Sequence, residues 1–380
     1  MSLIGPMGLM SLVGLGGCSR EEAEVETPLE VMGLMTDYED AEGQRRDAEG
    51  QRREAVTRAW EPPSGYSLYG SGDQTIGICF TRDGQAPMIG HFFKRSGSWR
   101  TNLVDVNSGV YYLYGYIPHT SGTTCHITDL SGDEDGVYSE GAELTLSNVP
   151  AVLPSDLCVV IGAKDGTDEE TVTGLRSGDF AFNARPTSGE TPEANYVFLL
   201  FDHLYASIRV RMRVHSEYDA LRTIKLKKLK LGTEEGGTPS KQKTNIVITL
   251  APTDGSNPSE SPITGINFTP TGENMVGGVE FWSSAGETLT TEYSSYIGFF
   301  MPQYVSTLIL TSTYDIFDKQ GNLIRENDTA TNTILLGDFL PGQVTTRRGT
   351  QYTINFTIRP TYLYMLSEPD IDDPTVEVTE

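Results

Sequence analysis

The ten residues YASIRVRMRV, Tyr205–Val214, put Ile208, Val210, Met212 and Val214 on one side of an extended chain and Arg209, Arg211 and Arg213 on the other. A period of two marks a strand with one buried and one wetted face, and no helix can bury such a pattern. Short strand-like runs recur along the chain: TIGICFT (75–81), VYYLYGYI (110–117), AELTL (142–146), LCVVIGA (157–163) and TNIVITL (244–250). GVEFWS (278–283), YIGFFMP (296–302), VSTLILTSTY (305–314), YTINFTIRPTYLYML (352–366) and TVEV (375–378) continue the series. Turn residues separate them, with 40 glycines and 20 prolines in 380 residues. No helical pattern is convincing after residue 60. In TIKLKKLKLG the alternation breaks between Lys227 and Lys228, which predicts a bulge and therefore an edge or a corner. The arginine row of Tyr205–Val214 is expected to be a solvated outer face.

These patterns predict an all-β protein: two tandem β-sandwich domains, transthyretin-like or Greek-key, after a mostly disordered or helical leader. The polar stretch NARPTSGETPEAN, Asn183–Asn195, reads as the linker, giving domains at 59–190 and 191–366 and a C-terminal segment at 367–380.

Charge narrows the partners. The chain carries a formal net charge of −24, and the part after residue 58 retains −18 of it. Such a body repels phosphate backbones, so nucleic acid is not an expected partner. Five arginines nevertheless crowd into one polar stretch, YEDAEGQRRDAEGQRREAVTRAW, in which the heptad DAEGQRR of Asp40–Arg46 repeats letter for letter at Asp47–Arg53. It has no apolar seam for a coiled coil.

Upstream, Met1–Gly17 is apolar and small throughout, too short and too rich in Gly and Pro to cross a bilayer as a stable helix. It matches the apolar region of a secretory signal. LGGC, Leu15–Cys18, resembles the bacterial lipobox, in which the cysteine thiol accepts the lipid; Cys18 is therefore the expected lipidation site, with 1–18 as signal peptide and 19–58 as propeptide. The acidic SREEAEVE after it resembles the surface-export signals of Bacteroidetes lipoproteins. No Lys or Arg precedes the apolar run, which points to a translation start further upstream.

Chemistry-bearing motifs are nearly missing. There is no G-x-S-x-G, H-E-x-x-H, P-loop or dinucleotide fingerprint, and neither catalysis, a cofactor nor a metal is expected. With Cys18 lipidated, Cys79, Cys125 and Cys158 remain, an odd number that allows at most one internal bridge; Cys79 and Cys158 read as small buried residues. The five histidines are scattered, and His203 in LFDHLYAS reads as a packed or turn histidine. Ser131, Asp133, Asp135 and Gly136 match the start of a calcium loop, but Ala142 stands where the closing Glu should be, so the default is a solvated acidic loop.

FDHLYASIRVRMRV (201–214), ALRTIKLKKLKLG (220–232) and FLPGQVTTRRGTQYTINFTI (339–358), behind a lipobox and an arginine-ended leader, resemble the middle and C-terminal patterns of the Bacteroidetes fimbrillins. These are the major and minor fimbrial subunits of the type V pilus. The resemblance covers most of the chain and implies a shaft or tip subunit that supports adhesion. It implies a lipoprotein precursor tethered at the outer membrane and cell surface, trimmed there by an Arg-specific trypsin-like protease and incorporated into a fimbrium. Its partners would be other copies or related subunits, filling the groove left by the removed first strand.

On that basis Arg58 is the expected cleavage residue and Ala59 the new N-terminus, with the upstream arginine pairs as further sites. LEVMGLM, with Leu29 and Val31 on one parity and Met32 and Leu34 on the other, is the expected plug strand. The donor strand is expected in the C-terminal segment, at Tyr362 and Tyr364 of TYLYML and at Val376 and Val378 of TVEV. Two other classes stay open: an uncleaved fimbrial anchor lipoprotein, and a surface glycan-binding lipoprotein. The latter has little support from Trp60, Trp99 and Trp282, which lie far apart in sequence.

Overall fold

The computed structural model describes residues 29–40, 45–46, 66–68, 74–166, 174–186, 193–235, 238–239, 241–254, 260–275, 277–302, 307–335, 345–359 and 375–379. The chain is all-β, as the alternation requires. Its helical content among these residues is one turn at Ser216–Asp219, a 3-10 turn at Tyr138–Glu140 and the single residue Gly174. Among the described residues no helix is long and apolar enough to cross a membrane.

The described strands form four sheets. The nine-stranded sheet runs Cys158–Asp165, Asn195–His203, Leu29–Thr36, Ser98–Thr101, Gln85–Arg95, Ile76–Arg82, Gly109–Ile117 and Ala181–Ala184, with Tyr66–Leu68 also bonded to Leu29–Thr36. Cys158 and Val159 also pair with Ile117 and Tyr116, so the pairings close into a ring. Ile78, Phe80, Leu113, Phe182, Val197 and Phe201 belong to the core that this ring encloses. A four-stranded sheet, Ile263–Asn274, Lys241–Leu250, Ala142–Pro150 and Thr124–Asp129, helps bury a second core that contains Tyr114, Leu144, Phe198 and Ile248.

Two more sheets complete the fold. The seven-stranded one centres on Ala206–Val214 between Ser294–Phe300 and Thr350–Arg359; the five-stranded one centres on Arg222–Glu235. Strands on both sides of residue 190 share sheets: Asn195–His203 sits in the ring, and Ala142–Pro150 pairs with Lys241–Leu250.

The apolar face of the alternating strand is buried as its sequence demands, but the arginine row is half-buried rather than a solvated outer face. Ile208, Val210, Met212 and Val214 are buried, while the guanidinium groups of Arg211 and Arg213 lie over the Tyr293 ring at 4.6 and 4.5 Å. The predicted bulge is present between Leu226 and Lys228, but the edge inferred from it is not. Arg222–Glu235 is flanked on both sides, by Val279–Thr288 and Thr307–Asp318. Both neighbours shift register at the same place, and Lys227 reaches Asp315 and Asn327, so the sheet absorbs the extra residue internally.

A mostly disordered or helical leader is corrected where the chain is described. Leu29–Thr36, Tyr38–Asp40 and Arg45–Arg46 are strands. Period-two burial drives this. Leu29 and Val31 join the ring core, and Leu34 and Tyr38 on the opposite parity join the second core. A segment apolar on both faces is most stable between two packed layers.

Candidate functional site

The N-terminal strand Leu29–Thr36 lies inside its sheet, not at an edge. Seven residues, Leu29 to Met35, pair in parallel with Asn195 to Phe201. Its other side is sparsely held: Leu34, Met35 and Thr36 pair with Tyr66–Leu68, and Leu29 alone pairs with Trp99. The strand is thus the weakly fastened stave that closes the ring. Leu29, Val31, Leu34 and Tyr38 are 8%, 7%, 3% and 1% exposed. At about 1.5–3 kcal/mol for each such side chain, the four supply on the order of 10 kcal/mol before the entropy of ordering the strand is subtracted. The residues expected to form a plug, Leu29, Val31, Met32 and Leu34, stand together on this strand; Met32 is half-buried against the second core.

Beyond Thr36 the chain crosses from one sheet to another. Tyr38–Asp40 joins the seven-stranded sheet, where Glu39 and Asp40 pair in parallel with Thr350 and Gln351. Arg45–Arg46, in the first copy of the heptad, folds back antiparallel onto Tyr38 and Glu39.

A buried polar cluster clasps the crossing. Thr36 follows the residue paired with Phe201, which brings its hydroxyl to Asp202, donating at 2.8 Å. The Thr36 carbonyl accepts from His203 Nε2. His203 Nδ1 donates to Asp156 Oδ2 at 2.8 Å, and Tyr38 donates its hydroxyl to Asp156 Oδ1 at 2.7 Å. The Tyr38 ring stacks on the His203 ring with centroids 3.8 Å apart, and on Phe299 at 6.2 Å. Arg348 closes the far side, donating to Asp202 Oδ2 at 2.7 Å and to the His203 carbonyl at 3.0 Å.

The charge state follows from geometry. Both ring nitrogens of His203 face acceptors, and only the imidazolium can donate from both. Burial alone would depress its pKa; the Asp156 carboxylate, aided by Asp202 and the Thr36 carbonyl, reverses this and holds it above the usual histidine range. Burial pushes Asp202 up, but Arg348, His203 and Thr36 prevail and hold its carboxyl below the usual range. Burial, reinforced by Asp156, keeps the Tyr38 phenol and the Cys158 thiol protonated.

Asp156, Cys158 and His203 bring potential metal-ligand atoms within 4.8 Å of one another. In this state Asp156 and both His203 nitrogens are engaged by Tyr38, Thr36 and each other. The cluster is built to hold the N-terminal segment.

His203 is buried, as expected of a packed histidine, but its role was missed. Its partners Thr36 and Asp156 lie 167 and 47 residues away. The available signal was polar residues at the ends of apolar runs, SDLC and FDH, where a buried strand should carry none.

Asp129 organises the acidic loop by accepting backbone N–H bonds from Ser131, Asp133 and Val137. These bonds hold its carboxyl below the usual range. The C-terminal strand Thr375–Thr379 lies antiparallel on its own chain, with Val376 opposite Ile358 and Val378 opposite Phe356. Cys18, Arg58, Ala59, Tyr362 and Tyr364 lie outside the described residues, as do the side chains of Val376 and Val378.

No protein-family model matches the chain, and no curated protein matches it. Among solved structures, it is similar to a proposed cell adhesion protein of Bacteroides fragilis, at 11% identity and a TM-score of 0.38 over 93% of this chain and 96% of that one. It is similar to a proposed cell adhesion protein of Bacteroides uniformis, at 12% identity and a TM-score of 0.31 over 79% and 88%. A fimbrial protein of Bacteroides ovatus matches at 10% identity and a TM-score of 0.30 over 89% of this chain and 50% of that one.

Proposed function

We propose that this chain is a fimbrillin-like structural subunit of a cell-surface fimbria and acts without catalysis of its own. It is made as a lipoprotein precursor anchored through Cys18, trimmed after Arg58 by an Arg-specific surface protease, and assembled with other copies or related subunits by strand exchange. The observation that carries this reading is the N-terminal strand. It is internal to its sheet, buried on both faces, and followed by an arginine-rich spacer. Its departure uncovers the unpaired edge of Asn195–His203 and an apolar trough, an arrangement that demands a replacement strand. A strand from another subunit satisfies both by main-chain pairing, with alternate side chains setting register.

The test is to treat purified precursor with an Arg-specific protease, sequence the new N-terminus, and follow assembly by size exclusion and electron microscopy. The expected result is a chain beginning at Ala59 that forms linear polymers, while uncut precursor stays monomeric. Cut chains that remain monomeric after losing residues 29–40 overturn the proposal. So does surface material that retains a lipid on Cys18 at full length, which would make the protein an uncleaved anchor.

A further inference from the structure

Three cysteines lie among the described residues, and the fold sorts them by side. Along Ile76–Arg82, Ile76, Ile78 and Phe80 belong to the ring core, while Cys79, on the opposite parity, belongs to the second core with Tyr114 and Tyr116. Cys158 belongs to the ring core and pairs with Ile117 across its ladder. Cys79 and Cys158 therefore face opposite ways from the wall of the ring. Cys125 lies on Thr124–Asp129 of the four-stranded sheet and shares its parity with the buried Ile127, while Thr124 and His126 are exposed. It packs against the second core, and its sulfur lies 3.5 Å from that of Cys79. That is contact distance for two thiols, about 1.5 Å longer than a covalent S–S bond.

The pair sits where a bond would matter. The ring and the four-stranded sheet meet through side chains and share no strand pairing among the described residues. Thr124–Asp129 is the outermost described strand of its sheet, paired there with Ala142–Pro150. Cys79 and Cys125 are 46 residues apart, and the chain between them holds three staves of the ring, Gln85–Arg95, Ser98–Thr101 and Gly109–Ile117. A bond here closes a long loop, which removes conformational freedom from the unfolded chain. In the folded chain it fastens an outer strand to the ring.

We infer that Cys79 and Cys125 form a disulfide that staples the four-stranded sheet to the ring, leaving Cys158 as a buried thiol. The oxidant is another disulfide, small or carried on an oxidoreductase. An exported chain meets such donors and a cytosolic one is kept reduced, so the timing rests on the precursor reading above while the pairing does not. Cys125, the more accessible of the two, gives up its proton and attacks one sulfur of the donor, whose other sulfur leaves as a thiolate. The hydrogen bond with Cys125 and burial push the Cys79 thiol well above the ordinary cysteine range, so it enters second. It loses its proton, attacks the Cys125 sulfur of the mixed disulfide and expels the remaining half of the donor. One S–S bond breaks and one forms; two electrons pass to the donor, and the two cysteine protons end on its thiols.

The test uses the full chain with Cys18→Ser, so that Cys79, Cys125 and Cys158 are its only thiols. Reduced protein meets excess glutathione disulfide while folded in one arm and while refolding from urea in a second, which gives the oxidant access to the buried sulfur. Intact mass should fall by two hydrogens, and the unfolded, unreduced product should take up one alkylating group where reduced chain takes up three. Proteolysis should yield a linked peptide pair holding Cys79 and Cys125, and Cys125→Ser should remove all three signs. Reduction should lower the thermal midpoint of the linked chain by at least about 5 °C and leave that of Cys125→Ser unmoved. The linked product in either arm carries the pairing. Its absence from both, whether the mass is unchanged, glutathione stays on Cys125 or the link runs through Cys158, overturns it. A linked chain whose midpoint ignores reduction overturns the staple. None of these readouts depends on strand exchange or on cleavage at Arg58.

Discussion

Tyr38→Phe isolates the clasp from the strand. Phenylalanine keeps the ring stacked on His203 and Phe299 and removes one hydroxyl, which now donates to Asp156 Oδ1 at 2.7 Å. A hydrogen bond to a charged group contributes about 1.5–3 kcal/mol, and here Asp156 Oδ1 loses its donor while Oδ2 keeps the one from His203 Nδ1. At 1.4 kcal/mol per factor of ten, the N-terminal segment should leave a cut precursor about 10- to 100-fold faster than in the unsubstituted chain. The assay cuts the spacer with an Arg-specific protease, then follows release of a label placed at residue 30, which is exposed. Asp156→Asn should act in the same direction, and the double substitution should cost less than the sum, because both remove one bond. Equal release rates in Tyr38→Phe and the unsubstituted chain would refute the claim that the cluster holds the segment.

Release should also depend on pH, with opposite limbs. The raised pKa of His203 gives a contribution complete below its unfolded value of about 6.5 and lost as pH rises through the folded value; the depressed Asp202 gives one complete above about 3.9 and lost as pH falls through the folded value. Release from cut precursor should be slowest between these limits, and His203→Gln should flatten the alkaline limb. Leu34→Asp puts an unpaired charge at a position 3% exposed. It should destabilise the precursor by more than about 4 kcal/mol in urea unfolding. Gly136→Ala drives a methyl group into the Asp129 carboxylate, so the loop must shift; a loss of about 1–3 kcal/mol should appear in thermal unfolding.

Local patterning made the strands legible and left the sheets dark. Ile208 to Val214 announced a strand because burial of alternate residues is a local property. LEVMGLM is expected as a strand only through the family resemblance, within a leader otherwise expected to be disordered or helical. Nothing local says that Leu29 pairs in parallel with Asn195, or that Cys158 meets Ile117 and closes a ring. Strands with little apolar alternation, such as Ile263–Asn274 and Leu323–Leu335, passed unnoticed because they are largely exposed. The clasp was invisible for another reason. Thr36, Tyr38, Asp156, Asp202, His203 and Arg348 are each ordinary alone, and their meaning is the distance between them in space.

The placement of the strand also explains what cutting the spacer would accomplish. Cleavage removes none of its contacts: the seven parallel pairs with Asn195–Phe201, the four buried side chains and the clasp all survive the cut. What changes is recapture. A covalent tether holds a strand at an effective concentration of about millimolar; once cut, at micromolar protein, rebinding is about a thousandfold weaker, roughly 4 kcal/mol. A strand worth on the order of 10 kcal/mol before ordering costs then becomes exchangeable without becoming loose. A competing strand carried on another subunit faces the same edge and the same trough. It prevails if it brings equivalent contacts together with a local concentration that the severed strand no longer has.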